Sequence, residues 1–136
     1  MKDMVFERER CKQIVSPTER QIVRELSLVK SSFASLTAND GSFIQVAGGP
    51  GLFLLEYREL SGQHSRASQS VPVVPFPDGT VLSFSAGNVE MAQGQWFLLK
   101  QITEVFTSFL NGNPFPTWVS WMQLTEEFAA VQQKPL

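Results

Sequence analysis

A chain of 136 residues is sized for one domain, 1–136, and is long enough to bury a core. Its hydrophobic fraction of 43%, with 11 Phe and 3 Trp, is that of an ordinary globular protein. Lys+Arg 11 against Asp+Glu 13 gives a formal net charge of −2, which leaves no basic footprint for nucleic acid.

The single cysteine, Cys11, excludes an internal disulfide and a multi-cysteine metal site. No run approaches the ~18 apolar residues of a membrane helix. The charged start MKDMVFERERCK is unlike a secretory signal. A soluble, cytoplasmic chain with no membrane or nucleic-acid partner is expected.

Met4 to Glu9 alternates loosely and suggests a short edge strand. SPTE then reads as a helix start. Ser16 can accept from the amide of Glu19 while Glu19 reaches back, and Pro17 occupies the first helical position, where its missing donor costs nothing. Ile22, Leu26, Val29 and Phe33 follow at helical spacing, with Arg20, Arg24, Glu25 and Lys30 largely opposite, so an amphipathic helix is expected.

TANDG, Thr37 to Gly41, is a loop dense in turn formers. Phe43 to Val46 and Leu52 to Tyr57 are apolar, short and bounded by glycine, as strands are. Their link, Ala47-Gly48-Gly49-Pro50-Gly51, lacks the lysine and hydroxyl residue of a phosphate loop and leads into a strand instead of a helix. It predicts a hairpin turn. Strand alternation puts Phe53, Leu55 and Tyr57 on one face and Leu54, Glu56 and Arg58 on the other.

His64 to Ser70 holds little that is apolar and suggests a third, outer and exposed strand. The proline cluster Val71 to Gly79 breaks pairing. Thr80 to Gly87 alternates again, with Leu82 and Phe84 turned inward. A second helix starts near Gln95, carries Leu98, Ile102, Val105 and Phe109 at helical intervals, and stops at Gly112. Trp118 to Leu124 reads as a closing strand, and Thr125, Glu126 and Glu127 as the cap of a short terminal helix. The sum is an α+β domain: an antiparallel sheet of four to six strands covered on one face by two amphipathic helices.

Residues suited to catalysis are few. His64 lies among serines, but a serine beside a histidine in sequence is no triad, because roles come from three-dimensional geometry. Cys11 has basic neighbours yet no surrounding motif. Glu56 and Glu59, three apart on a strand, face opposite sides. Asp40, Asp78 and Glu90 are scattered through separate segments, so no cofactor or metal site is expected. Trp96, Trp118 and Trp121 suit core packing, or else an exposed interface anchor.

Two stretches carry a resemblance. FIQVAGGPGLFLLEYRELSGQHSRAS holds a Gly-rich turn and a strand ending in Glu56-Tyr57-Arg58, and LLKQITEVFTSFLNGNPFPTWVSW holds a helix ending in Phe109-Leu110-x-Gly112 before a tryptophan-bearing segment. Together they resemble an immunity-protein family of bacterial polymorphic toxin systems, the type often encoded beside deaminase toxins. Gly48, Gly49 and Gly51 match the first pattern, and Trp118 or Trp121 the second. The match runs from Ser42 to Leu124 and is poor between Val71 and Gln93.

The resemblance implies a cytoplasmic protein, not an enzyme, that binds one cognate toxin domain and covers its active site as a monomer in a one-to-one complex. Glu56, Arg58, Glu59, His64, Arg66 and Glu90 are the implied toxin-binding residues. Ordinary solvated strand positions are the plainer alternative for each. Two other readings of the chain stand beside this one: a small acidic secretion chaperone, and an enzyme using His64 or Cys11.

Overall fold

A computed structural model describes residues 3–124. The strands are β1 (Met4–Arg8), β2 (Ile14–Val15), β3 (Ser32–Ala38), β4 (Phe43–Gly48), β5 (Leu52–Arg58), β6 (His64–Ser68), β7 (Thr80–Phe84), β8 (Gly87–Met91), β9 (Phe97–Leu98) and β10 (Ser120–Gln123). The helices are α1 (Glu19–Leu26) and α2 (Leu99–Leu110). The fold is α+β, as the sequence indicates. The main sheet has eight strands instead of four to six: β10-β6-β5-β4-β3-β1-β2 in order, with β9 beside β5, and every pairing antiparallel. β7 and β8 form a separate two-stranded ribbon.

The first helix begins two residues later than the serine signal suggests. Thr18 is the N-cap: its hydroxyl accepts from the Gln21 amide at 3.1 Å, and the Gln21 side chain accepts from the Thr18 amide at 2.9 Å. Ser16 cannot serve, because its amide donates to the Met4 carbonyl at 2.7 Å and its φ is 52°. The helix ends at Leu26. Phe33 belongs to β3, where Ala34, Leu36 and Ala38 turn inward by alternation. The spacing of Ile22, Leu26, Val29 and Phe33 suits a helix by coincidence. β1 is likewise no edge strand, since β2 flanks it.

The hairpin of β4 and β5 forms as expected, and its turn needs glycine. Gly49 has φ 79°, and a Cβ there would run into the Val29 carbonyl. One face of the sheet carries Leu36, Ile44, Val46, Phe53 and Leu55 against Ile22 and Leu26 of α1 and Ile102, Val105 and Phe106 of α2. On the other face Ala47 and Leu54 meet Leu82, Val89 and Met91 of the ribbon, together with Trp96. Val73, Val74 and Phe76 of the proline-rich segment pack on this second core.

β5 has two partners along one edge. Leu52 and Phe53 pair with β9, and Glu56 to Arg58 pair with β6. Where β6 departs, Gln69 closes the gap: its amide donates to the Gly94 carbonyl at 2.9 Å, and its side chain to the Trp96 carbonyl at 2.9 Å. Gln101 of α2 donates back to Gln69 at 2.8 Å. α2 itself starts at Leu99, because the residues after Gln95 first make β9. Gly112, at φ 70°, ends it as expected. The terminal helix expected from Thr125, Glu126 and Glu127 lies outside the described residues.

Candidate functional site

The register of the central strands sets Gln45 opposite Glu56 and Glu56 opposite Arg66. Three polar side chains on adjacent strands therefore share one row of one face. His64, two residues before Arg66, joins the same face. The Glu56 carboxylate is fully buried and bonded on both oxygens. Oε1 accepts from Gln45 Nε2 at 3.0 Å and lies 2.9 Å from His64 Nε2. Oε2 accepts from Arg66 Nε at 3.0 Å and sits 2.9 Å from Arg66 Nη2.

The pair Glu56–Arg66 is shielded from water on both sides, and His64 packs at 6.1 Å from the Phe43 ring. His64 Nδ1 and Arg66 Nη2 are buried, and among the described residues neither has a hydrogen-bond partner. Taking a carboxylate and a guanidinium out of water costs several kcal/mol each, which their mutual attraction and good geometry must offset. Here Gln45 Nε2 and Arg66 Nε donate to one carboxylate, with the His64 ring and the rest of the Arg66 guanidinium beside it, so the charge is met. The cluster ties β4, β5 and β6 together, and the lone pairs of Glu56 are used inside the chain.

This overturns the expectation that β6 is an exposed outer strand. β10 pairs along its outer side, Met122 opposite Arg66 and Trp121 opposite Ala67, and His64, Ser65, Arg66 and Ala67 are all buried. Of the six residues expected to meet a toxin, Glu56, His64 and Arg66 are interior. Arg58 and Glu59 are half-buried at the end of β5, and Glu90 is exposed on β8. The structure brings Glu56, His64 and Arg66 together and leaves the other three at the surface.

On the helix-bearing face, the next residue of the same strand anchors an aromatic cluster. Tyr57 meets Phe109 at 6.2 Å, Phe115 at 5.0 Å and Trp121 at 5.4 Å between centroids. Phe115 also contacts Trp121 at 5.0 Å. Partial burial, then the carboxylates of Glu59 and Asp40, hold the Tyr57 phenol above its ordinary pKa.

Gln45 was not singled out by sequence reading, although a signal existed. It stands three residues before Gly48 as Glu56 stands three after Phe53, the pair that closes the turn, so the hairpin register pairs them. Cys11 is exposed between β1 and β2, apart from this cluster. Among the described residues, no His, Cys, Asp and Glu converge as a metal-binding group. A cavity of about 750 Å³ lies between the start of α1 and the end of α2, lined by Met4, Thr18, Glu19, Asn39 and Asn111 among others, and holds none of the six. Among the described residues, no helix is long and apolar enough to cross a membrane. No family model matches the chain, and neither a curated protein nor a solved structure matches it.

Proposed function

We propose that this chain is an immunity protein: it binds a cognate bacterial toxin domain in the cytoplasm, one to one, and holds it inactive by covering its active site, with no chemistry of its own. The observation that carries this reading is the contact of Tyr57 with Phe109, Phe115 and Trp121. Tyr57 belongs to the Glu-Tyr-Arg strand end, and the other three to the helix-and-tryptophan stretch. Two separate segments that resemble parts of one family pack as one unit, which supports reading them as a single signature.

Within this reading the buried trio Glu56, His64 and Arg66 supports the scaffold. Contact with the toxin falls to the surface positions Arg58, Glu59 and Glu90. Charges of this kind steer encounter and exclude wrong partners, while a few desolvated anchors slow release. A nucleic-acid-modifying toxin, a deaminase being the kind the resemblance implies, is the proposed partner.

The test is to read the gene immediately upstream and to co-express the chain with any C-terminal toxin domain it encodes. Restored growth and co-purification of the two chains are expected. Growth arrest that the chain does not relieve sinks the proposal.

A further inference from the structure

The β7–β8 ribbon lies on the sheet by one face and, among the described residues, pairs with no other strand. Its two-residue connection, Ser85-Ala86, joins the facing residues Phe84 and Gly87. In such a hairpin the closing pair exchanges ladder hydrogen bonds, and bonded and non-bonded pairs then alternate. Leu82–Val89 and Thr80–Met91 are thus bonded pairs. Val81 and Ser83 turn their N–H and C=O groups away from β8, and Asn88 and Glu90 turn theirs away from β7. Among the described residues, none of these outward groups has another hydrogen-bond partner.

Unpaired backbone groups at strand spacing are a template for another strand, and proteins usually guard them with charge, proline or a bulge. The β8 edge carries the charged Glu90. The β7 edge carries Val81, 49% exposed, and the exposed Ser83, with no charge among its five residues. Val81 and Glu90 face each other across the ribbon, so their side chains stand side by side on its outer face.

We propose that the β7 edge is the docking line for an extended strand of the toxin domain. That strand pairs through the backbone of Val81 and Ser83, sets an apolar residue beside Val81 and directs a basic one toward Glu90. The inference rests on the toxin-binding reading and adds to it the element that grips the partner.

The experiment titrates the toxin domain identified by that co-expression test into the full chain and into three variants. Val81→Pro and Ser83→Pro each remove one outward N–H that makes no bond within the ribbon; Asn88→Pro does the same on the opposite edge. Affinity about tenfold or more weaker for the first two, and unchanged for Asn88→Pro, is expected. Hydrogen exchange on the unaltered chain, which needs no variant to fold, is expected to show the Val81 and Ser83 amides slowed in the complex.

If the toxin binds but those amides are not slowed, or both proline variants bind normally, the edge proposal is overturned and the proposed function stands. If the amides are already protected in a dimer of the free chain, the edge belongs to a second copy and the proposal is overturned. If the unaltered chain does not bind the toxin domain, both fall.

Discussion

Tyr57 on β5 and Trp121 on β10 touch at 5.4 Å across an intervening strand. They reach each other because β6 presents small residues between them: Ser65 faces Tyr57, and Ala67 faces Trp121. Larger side chains at either position would push the aromatic rings apart. Ala67, fully buried, is the more sensitive site. Ala67→Leu is expected to destabilise the chain by about 1–3 kcal/mol, as overpacking of a close-packed interior does. Urea unfolding followed by tryptophan fluorescence measures it.

The same tyrosine gives a pH prediction that one absorbance titration can check, since it is the only tyrosine in the chain. Its phenol pKa is raised in the fold by burial and then by Glu59 and Asp40. The folded state therefore binds that proton more tightly than the unfolded state. The resulting stability is fully present below the ordinary value of 10.0 and is lost as pH rises through the folded value. Tyr57→Phe is expected to lose less stability over that alkaline window than the unaltered chain. Equal losses in the two chains would count against the burial of the phenol.

Removing one member of the buried ion pair strands the other. Glu56→Leu leaves the Arg66 guanidinium uncompensated in the interior, and a loss of about 3–5 kcal/mol is expected. Adding Arg66→Met to that variant is expected to recover part of the loss. The two changes then sum to less than their separate effects, a coupling read from a double-mutant cycle of unfolding free energies. Strict additivity would mean the two side chains do not interact.

Helix capping separates two nearby hydroxyls. Thr18→Ala is expected to cost about 0.5–2 kcal/mol, because the Gln21 amide loses its acceptor. Ser16→Ala is expected to cost less, since the Ser16 side chain caps nothing and only its backbone is bonded. Thermal unfolding of the two variants decides between Thr18 and Ser16 as the cap.

The Gly49 turn tests conformation and space together. Gly49→Ala meets both a positive φ and the Val29 carbonyl, whereas Gly41→Ala, at φ 96°, meets open space. Both are expected to destabilise, Gly41→Ala by about 1 kcal/mol and Gly49→Ala by distinctly more. Equal midpoints in urea would remove the steric argument at Gly49.

Sequence reading recovered the elements whose signals are local: the β4–β5 hairpin with its glycine turn, the inward Leu82 and Phe84, the end of α2 at Gly112, and Trp121 in a closing strand. It failed where tertiary pairing decides. SFASLTA has the alternation of a strand, but its small residues carry too weak an apolar signal to outweigh the helical spacing that runs through Phe33. β6 looked exposed because its residues are polar. Their burial depends on β10, more than fifty residues further on, and no local pattern reveals that pairing. Half of the candidate site was misplaced for this reason: Glu56 of β5 and His64 and Arg66 of β6 satisfy one another, with Gln45 of β4, only when the three strands align.

That alignment bears on how the chain avoids folding wrongly. Sliding β5 by a single position would turn Glu56 toward Val105 and Phe106, which offer a carboxylate no hydrogen bond. The penalty for such a slip is electrostatic and steep, whereas trading one aliphatic residue for another would cost little. A charge that adds little to the depth of the native minimum thereby raises the misregistered alternatives around it.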